Sequence, residues 1–131
     1  MRNLARNDAR TDEVQELAAY LADPYTLDFW LRRYWRIVPD PPDAELVRSP
    51  AYVIRCRCFE GDCDDAATLA ASVLTALGYR SCLIAIRQMA EPEFSHVFTR
   101  VLSVNPPLDI DPIVPAEHMP VRYGEAMVLP V

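Results

Sequence analysis

The stretch from Gly61 to Gly78 constrains this chain more than any other. Gly61-Asp62-Cys63-Asp64-Asp65 runs directly into an Ala- and Leu-rich segment that stops at a glycine. Ala67, Leu69, Ala70, Val73, Leu74 and Leu77 supply the apolar positions of a helix over Asp64 to Leu77, and Gly78 suits the left-handed position just past its C-terminus. Cys63 therefore stands at a helix N-terminus. Free backbone N–H groups and the positive end of the helix dipole favour an anion there, so a thiolate at Cys63 is stabilised. The flanking Asp62, Asp64 and Asp65 are poor company for a core cysteine. They oppose a thiolate or serve as helix caps, with Asp62 the expected cap.

Prolines, rather than the three glycines, punctuate the rest of the sequence. A first helix is expected from Thr11 as N-cap, with Val14, Leu17, Ala18 and Leu21 on one face, stopping at Asp23-Pro24 because the residue before proline avoids the helical region. A second is expected from about Thr26 to Ile37, ended by the stiff connector Pro39-Asp40-Pro41-Pro42. Residues Asp43 to Phe59, with Tyr52, Ile54 and Cys56 alternating against Val53, Arg55 and Arg57, read as a short strand or extended segment. Beyond Gly78, strands are expected over Arg80 to Arg87, Ser95 to Ser103 and Leu108 to Val114. Helices followed by antiparallel strands make the class α+β, with N-terminal helices and a central cysteine-bearing helix packed on an antiparallel β-sheet. The length of 131 residues fits a single domain over residues 1–131, with 1–10 a flexible N-terminal segment.

A net charge of −6 argues against nucleic acid as a partner, since neutralising phosphates needs a basic face. Locally, Trp30-Leu31-Arg32-Arg33-Tyr34-Trp35-Arg36 interleaves aromatics with arginines, but helical spacing favours an amphipathic helix with Leu27, Trp30, Leu31 and Tyr34 inward. No run approaches the roughly 18 apolar residues of a membrane span, and Met1 to Glu13 lacks the apolar centre of a signal peptide, so no membrane association and a cytoplasmic location are expected. Cys56, Cys58, Cys63 and Cys82 are expected as reduced thiols, all but Cys63 as small hydrophobes. Their spacing does not suit zinc. Asp64 and Asp65 with Asp109 and Asp111 form a lesser alternative, a hard-cation cluster; neither a metal nor a cofactor is expected.

Thiol chemistry needs a thiolate, a base that exchanges its proton and a group that orients the base. Histidine is scarce. His96 opens a predicted strand, while His118 sits in a proline-rich segment and reads as a surface residue. An aspartate on the next strand, Asp109 or Asp111, can orient His96 if the two strands are antiparallel neighbours. Spacing of two puts both aspartates on one face of an extended strand, so the choice stays open.

These residues resemble a known family. Gly61-Asp62-Cys63-Asp64-Asp65-Ala66-Ala67, the helix ending in Leu77-Gly78-Tyr79-Arg80, Ser95-His96-Val97-Phe98 and Asp109-Ile110-Asp111-Pro112 together look like the core of the transglutaminase-like cysteine-enzyme superfamily. The upstream Trp35-Arg36-Ile37-Val38-Pro39-Asp40-Pro41, Glu45-Leu46-Val47 and Ser49-Pro50 resemble the lead-in of small transglutaminase-like proteins of tailed phages and prophages. The resemblance covers about residues 25 to 128 and implies a papain/transglutaminase-like core. Carried over by position, Cys63 matches the nucleophile, His96 the general base and acid, and Asp111, before Pro112, the orienting carboxylate, with Asp109 its rival. A tryptophan expected shortly before that aspartate is replaced by Asn105-Pro106-Pro107. The implied function is thiol-dependent acyl transfer, by a peptidase or amidase, or a transglutaminase, acting on a carboxamide or peptide bond in a peptide or protein substrate. The alternative is a catalytically silent phage or prophage accessory protein that binds phage structural proteins during virion assembly, in the host cytoplasm or on the virion. The oligomeric state is left open.

Overall fold

The computed structural model describes residues 1–44, 46–88, 93–115 and 123–131; His118 lies outside the described residues. Among the described residues, five helices, α1 (Arg2–Asp8), α2 (Asp12–Leu21), α3 (Pro24–Tyr34), α4 (Pro50–Cys56) and α5 (Cys63–Leu77), accompany six strands, β1 (Arg36–Ile37), β2 (Glu60–Gly61), β3 (Ser81–Gln88), β4 (His96–Val101), β5 (Leu108–Ile110) and β6 (Tyr123–Pro130). The last four strands form an antiparallel sheet in the order β5-β4-β3-β6, while β1 and β2 pair in parallel as a separate two-stranded ribbon. The architecture is α+β, as expected.

The central helix is the organising element. Every residue of α5 from Asp65 to Leu74 is buried, because α1 and α2 pack on one side of it and β3 and β4 on the other. Small residues allow these close approaches. Ala67 and Ala71 cluster with Ala5 of α1 and with Leu83 and Val97 of the sheet, Ser72 Oγ donates to the Ala5 carbonyl at 3.0 Å, and Thr99 Oγ1 donates to the Ala67 carbonyl at 2.9 Å. Leu69, Val73 and Leu74 fill the main core with Val14, Leu21, Leu27 and Leu31. Each such leucine contributes up to about 3 kcal/mol by leaving water. On β4, Val97, Thr99 and Val101 face α5 while Phe98 joins Cys82, Ile84 and Ile86 in a second buried cluster, as the alternation of a strand requires.

Several expectations change. Residues 1–10, read as flexible, contain α1, whose Ala5 is fully buried against α5. The expected extended segment at Asp43 to Phe59 instead holds α4: Ser49 is the N-cap, its side chain accepting from the Tyr52 N–H, Pro50 takes the first turn, and Arg57 in the left-handed region ends the helix. The start of α4 is also tied to α1, since Asp8 Oδ2 accepts from both Ser49 Oγ, at 2.5 Å, and the Ala51 N–H, at 2.9 Å. Helix α3 begins at Pro24, with Asp23 as cap, and stops at Tyr34; Tyr34 points to solvent rather than inward. The third expected strand is shorter, Leu108–Ile110, and β6 adds an edge strand that the sequence reading lacked. The four cysteines are free, but only Cys82 is buried as a small hydrophobe; Cys56 and Cys58, at the exposed end of α4, face solvent.

Candidate active site

The loop before Cys63 is held from several sides. The Gly61 carbonyl accepts from the Val38 N–H at 2.9 Å and from Trp35 Nε1 at 3.3 Å, and Arg48 Nη1 donates to the Glu60 carbonyl at 2.8 Å. Pairing of β1 with β2 fixes the same residues from the side. Asp62 then caps α5, its Oδ1 accepting from the Asp64 and Asp65 N–H groups at 3.1 and 3.4 Å, while Asp65 Oδ2 accepts from the Asp62 N–H at 3.3 Å. This reciprocal capping box sets where α5 starts and therefore where Cys63 stands.

Cys63 is half-exposed and lines a cleft of about 310 Å³ together with His96, Phe94, Ala85, Leu129 and the carboxylates Asp40, Asp62 and Asp64. Its Sγ donates to Asp64 Oδ1 at 3.8 Å, and the His96 imidazole lines the same cleft. His96 opens β4 and is buried; its Nε2 lies 2.5 Å from Asp111 Oδ2. Asp111 follows β5 directly and is buried at 1% exposure. Its second oxygen accepts from the Ile113 and Val114 N–H groups at 3.2 and 3.4 Å. Asp109 has a different partner, Arg100, which grips both of its oxygens at 2.6 and 2.9 Å. The structure thus brings Cys63, His96 and Asp111 together and leaves Asp109 in an ion pair across the β4–β5 ladder, where Arg100 faces it in register.

No protein-family model and no curated protein matches this sequence. Solved structures do. A putative protease from Parabacteroides distasonis superposes with a TM-score of 0.63 at 15% identity, covering 82% of this chain and 25% of that one. Legionella pneumophila LapG superposes with a TM-score of 0.53 at 16% identity, covering 86% and 60%, and its calcium-bound form with 0.52 at 16%, covering 98% and 68%. The chain thus spans a quarter of the first protein and three-fifths of LapG in the second. The fold is transglutaminase-like.

Within this transglutaminase-like core, His96 is under opposing influences. Burial disfavours the imidazolium, but the hydrogen bonds and charges of Asp111 and Cys63 outweigh it and raise His96 to about 9. Asp62 is raised to about 6, by burial and then by the charge of Asp64, against the Asp65 N–H bond that lowers it. Asp40, Asp62 and Asp65 bring one carboxylate oxygen each within 4.8 Å of the others. Oxygen donors of this kind fit a hard cation. Backbone N–H groups already use both oxygens of Asp65 and one each of Asp62 and Asp40. Asp64, Asp65, Asp109 and Asp111, the cluster considered from sequence, have separate partners, so among the described residues that quartet does not gather. Sequence reasoning missed Asp40; its place opposite Asp62 depends on how the proline connector folds back, which no local pattern records.

Proposed function

We propose that this protein is a thiol-dependent acyl-transfer enzyme, most economically a peptidase or amidase, in which Cys63, His96 and Asp111 act as nucleophile, acid–base and orienting carboxylate. The observation that carries this reading is the buried His96–Asp111 hydrogen bond, with His96 and Cys63 lining one cleft. Cys63 Sγ attacks the carbonyl carbon of a peptide or carboxamide, and the developing oxyanion is taken by helix-start donors that include the Cys63 N–H. As the C–N bond breaks, the His96 imidazolium gives its proton to the leaving amine. Water, deprotonated by the now neutral His96, then attacks the thioester and releases the carboxylic acid, returning Cys63 and the imidazolium. Transfer to an amine in place of water would need a dry site, and hydrolysis is preferred for that reason.

Asp40, Asp62 and Asp65 are the residues that would hold a cation such as the calcium found in LapG, where it would supply charge neutralisation at the helix start. The substrate is a peptide or protein; the phage-like lead-in sequence makes phage structural proteins and a host-cytoplasmic location part of this proposal. Among the described residues, no helix is long and apolar enough to cross a membrane.

The test is alkylation by an iodoacetamide probe at mildly acidic pH, read by mass spectrometry, alongside turnover of a peptide library. Selective labelling at Cys63, lost with turnover in Cys63→Ala, is the expected result. Equal labelling of Cys56 and Cys58, with no turnover, would point to the silent binding protein instead.

A further inference from the structure

Helix α3 reaches the turn that follows β5 through Arg32. Arg32 Nε donates to Asp28 Oδ1 one turn earlier at 3.0 Å, and Arg32 Nη1 donates to the Val114 carbonyl at 2.8 Å. Both side chains are largely shielded, 21% and 22% exposed. Val114 is the residue whose N–H, with that of Ile113, holds Asp111 Oδ1. A series of hydrogen bonds therefore runs Asp28, Arg32, Val114, Asp111, His96, reaching the cleft that Cys63 also lines, and it ties the turn after β5 to a helix some eighty residues earlier in the chain.

We infer that Arg32, held by Asp28, is a positioning residue that fixes the Val114 carbonyl and, through the backbone of that residue, the N–H that sets the rotation of the Asp111 carboxylate towards His96. This rests on the reading of Asp111 as the orienting carboxylate. Two features separate it from an ordinary surface ion pair, which contributes little. One guanidinium spans a helix and a turn, so its two donors fix a distance between elements. The turn it grips carries no regular ladder beyond Ile110, where β5 ends. Without Arg32, Asp111 Oδ1 is held only by the N–H groups of a turn that is itself free to shift, and a carboxylate displaced by a fraction of an ångström loses alignment with the ring. The ionisable groups facing this path are Asp28 and Arg32 on α3, Asp111 after β5, and Cys63 and Asp64 at the head of α5. Burial raises the Asp28 carboxyl; Arg32 lowers it and the nearby Asp111 charge raises it again.

The experiment uses the whole chain and two readouts, the NMR titration of the His96 imidazole and the rate of Cys63 alkylation at fixed pH. Arg32→Met keeps the apolar stem and removes the donors. It is expected to move the His96 titration down from about 9 towards its ordinary value and to slow Cys63 alkylation roughly tenfold. Arg32→Lys, which can still donate to the Val114 carbonyl, recovers part of both losses. A folded Arg32→Met protein with wild-type values for both readouts, or no recovery in Arg32→Lys, overturns the inference. If Arg32→Met does not fold, Asp28→Ala carries the test, since it frees Arg32 to leave Val114: a lowered His96 titration supports the positioning role and an unchanged one refutes it. Absence of Cys63 labelling in the wild type would sink the acyl-transfer reading alone, and the His96 titration would still decide this one.

Discussion

The side chain of Asp65 occupies the space that a side chain on Gly61 would need. A Cβ built on Gly61 would stand 2.7 Å from Asp65 Cβ and 2.8 Å from its Cγ, and Gly61 has φ +154°, which L side chains rarely adopt. Glycine is required here because the capping box folds Asp65 back over the chain that leads to Cys63.

Gly61→Ala is therefore expected to open the capping box and displace Cys63. The cost should be about 2 kcal/mol or more in urea unfolding, with slower Cys63 alkylation in whatever fraction stays folded. Gly78→Ala serves as a comparison. It also strains a positive φ, of 83°, but a Cβ there meets nothing within 4 Å, so alkylation at Cys63 should be preserved.

Asp62 separates capping from charge. Asp62→Ala removes the acceptor for two helix N–H groups and should lower stability by about 1 kcal/mol. Asp62→Asn keeps an acceptor without the charge. Because the folded-state carboxyl is raised to about 6 from an ordinary 3.8, the folded form prefers the protonated acid, and stability falls as pH rises from about 3.8 through 6. Chemical denaturation across pH 4 to 7 should show that decline in the wild type and a flatter profile in Asp62→Asn.

The two candidate aspartates predict opposite outcomes. Asp111→Asn should lower the His96 titration and Cys63 alkylation together, whereas Asp109→Asn loses only its bidentate pair with Arg100 and should leave both near wild type. Paired measurements on the two variants decide between them; a large loss in Asp109→Asn alone would reverse the assignment.

The His96 pair also predicts a stability profile. His96 is raised to about 9 from 6.5, so its stabilising contribution is fully present below about pH 6.5 and is lost as pH rises through 9. Thermal unfolding between pH 6 and 10 should record that loss in the wild type, and Asp111→Asn should flatten it.

The sequence by itself determined what local chemistry decides. Thr11 as a cap, the α5 helix with Asp62 before it and Gly78 after it, the strands that begin near Ser81 and His96, and the α+β class all follow from periodicity and capping residues within a few positions of one another. Tertiary structure decided the rest. Helix α1 has seven residues, too short to persist alone, and forms because Ala5 is buried on α5. The β-branched Val53 and Ile54 read as strand, yet α4 is helical because Ser49 and Pro50 start it and Asp8, forty-odd residues away, satisfies the Ala51 N–H in its first turn. Asp109 and Asp111 were equivalent by spacing. What parted them was partner geometry: Arg100 stands opposite Asp109 in the β4–β5 register, while β5 ends at Ile110 and releases Asp111 towards His96. Register and chain ends are products of packing over long separations, which is why no local pattern carries them.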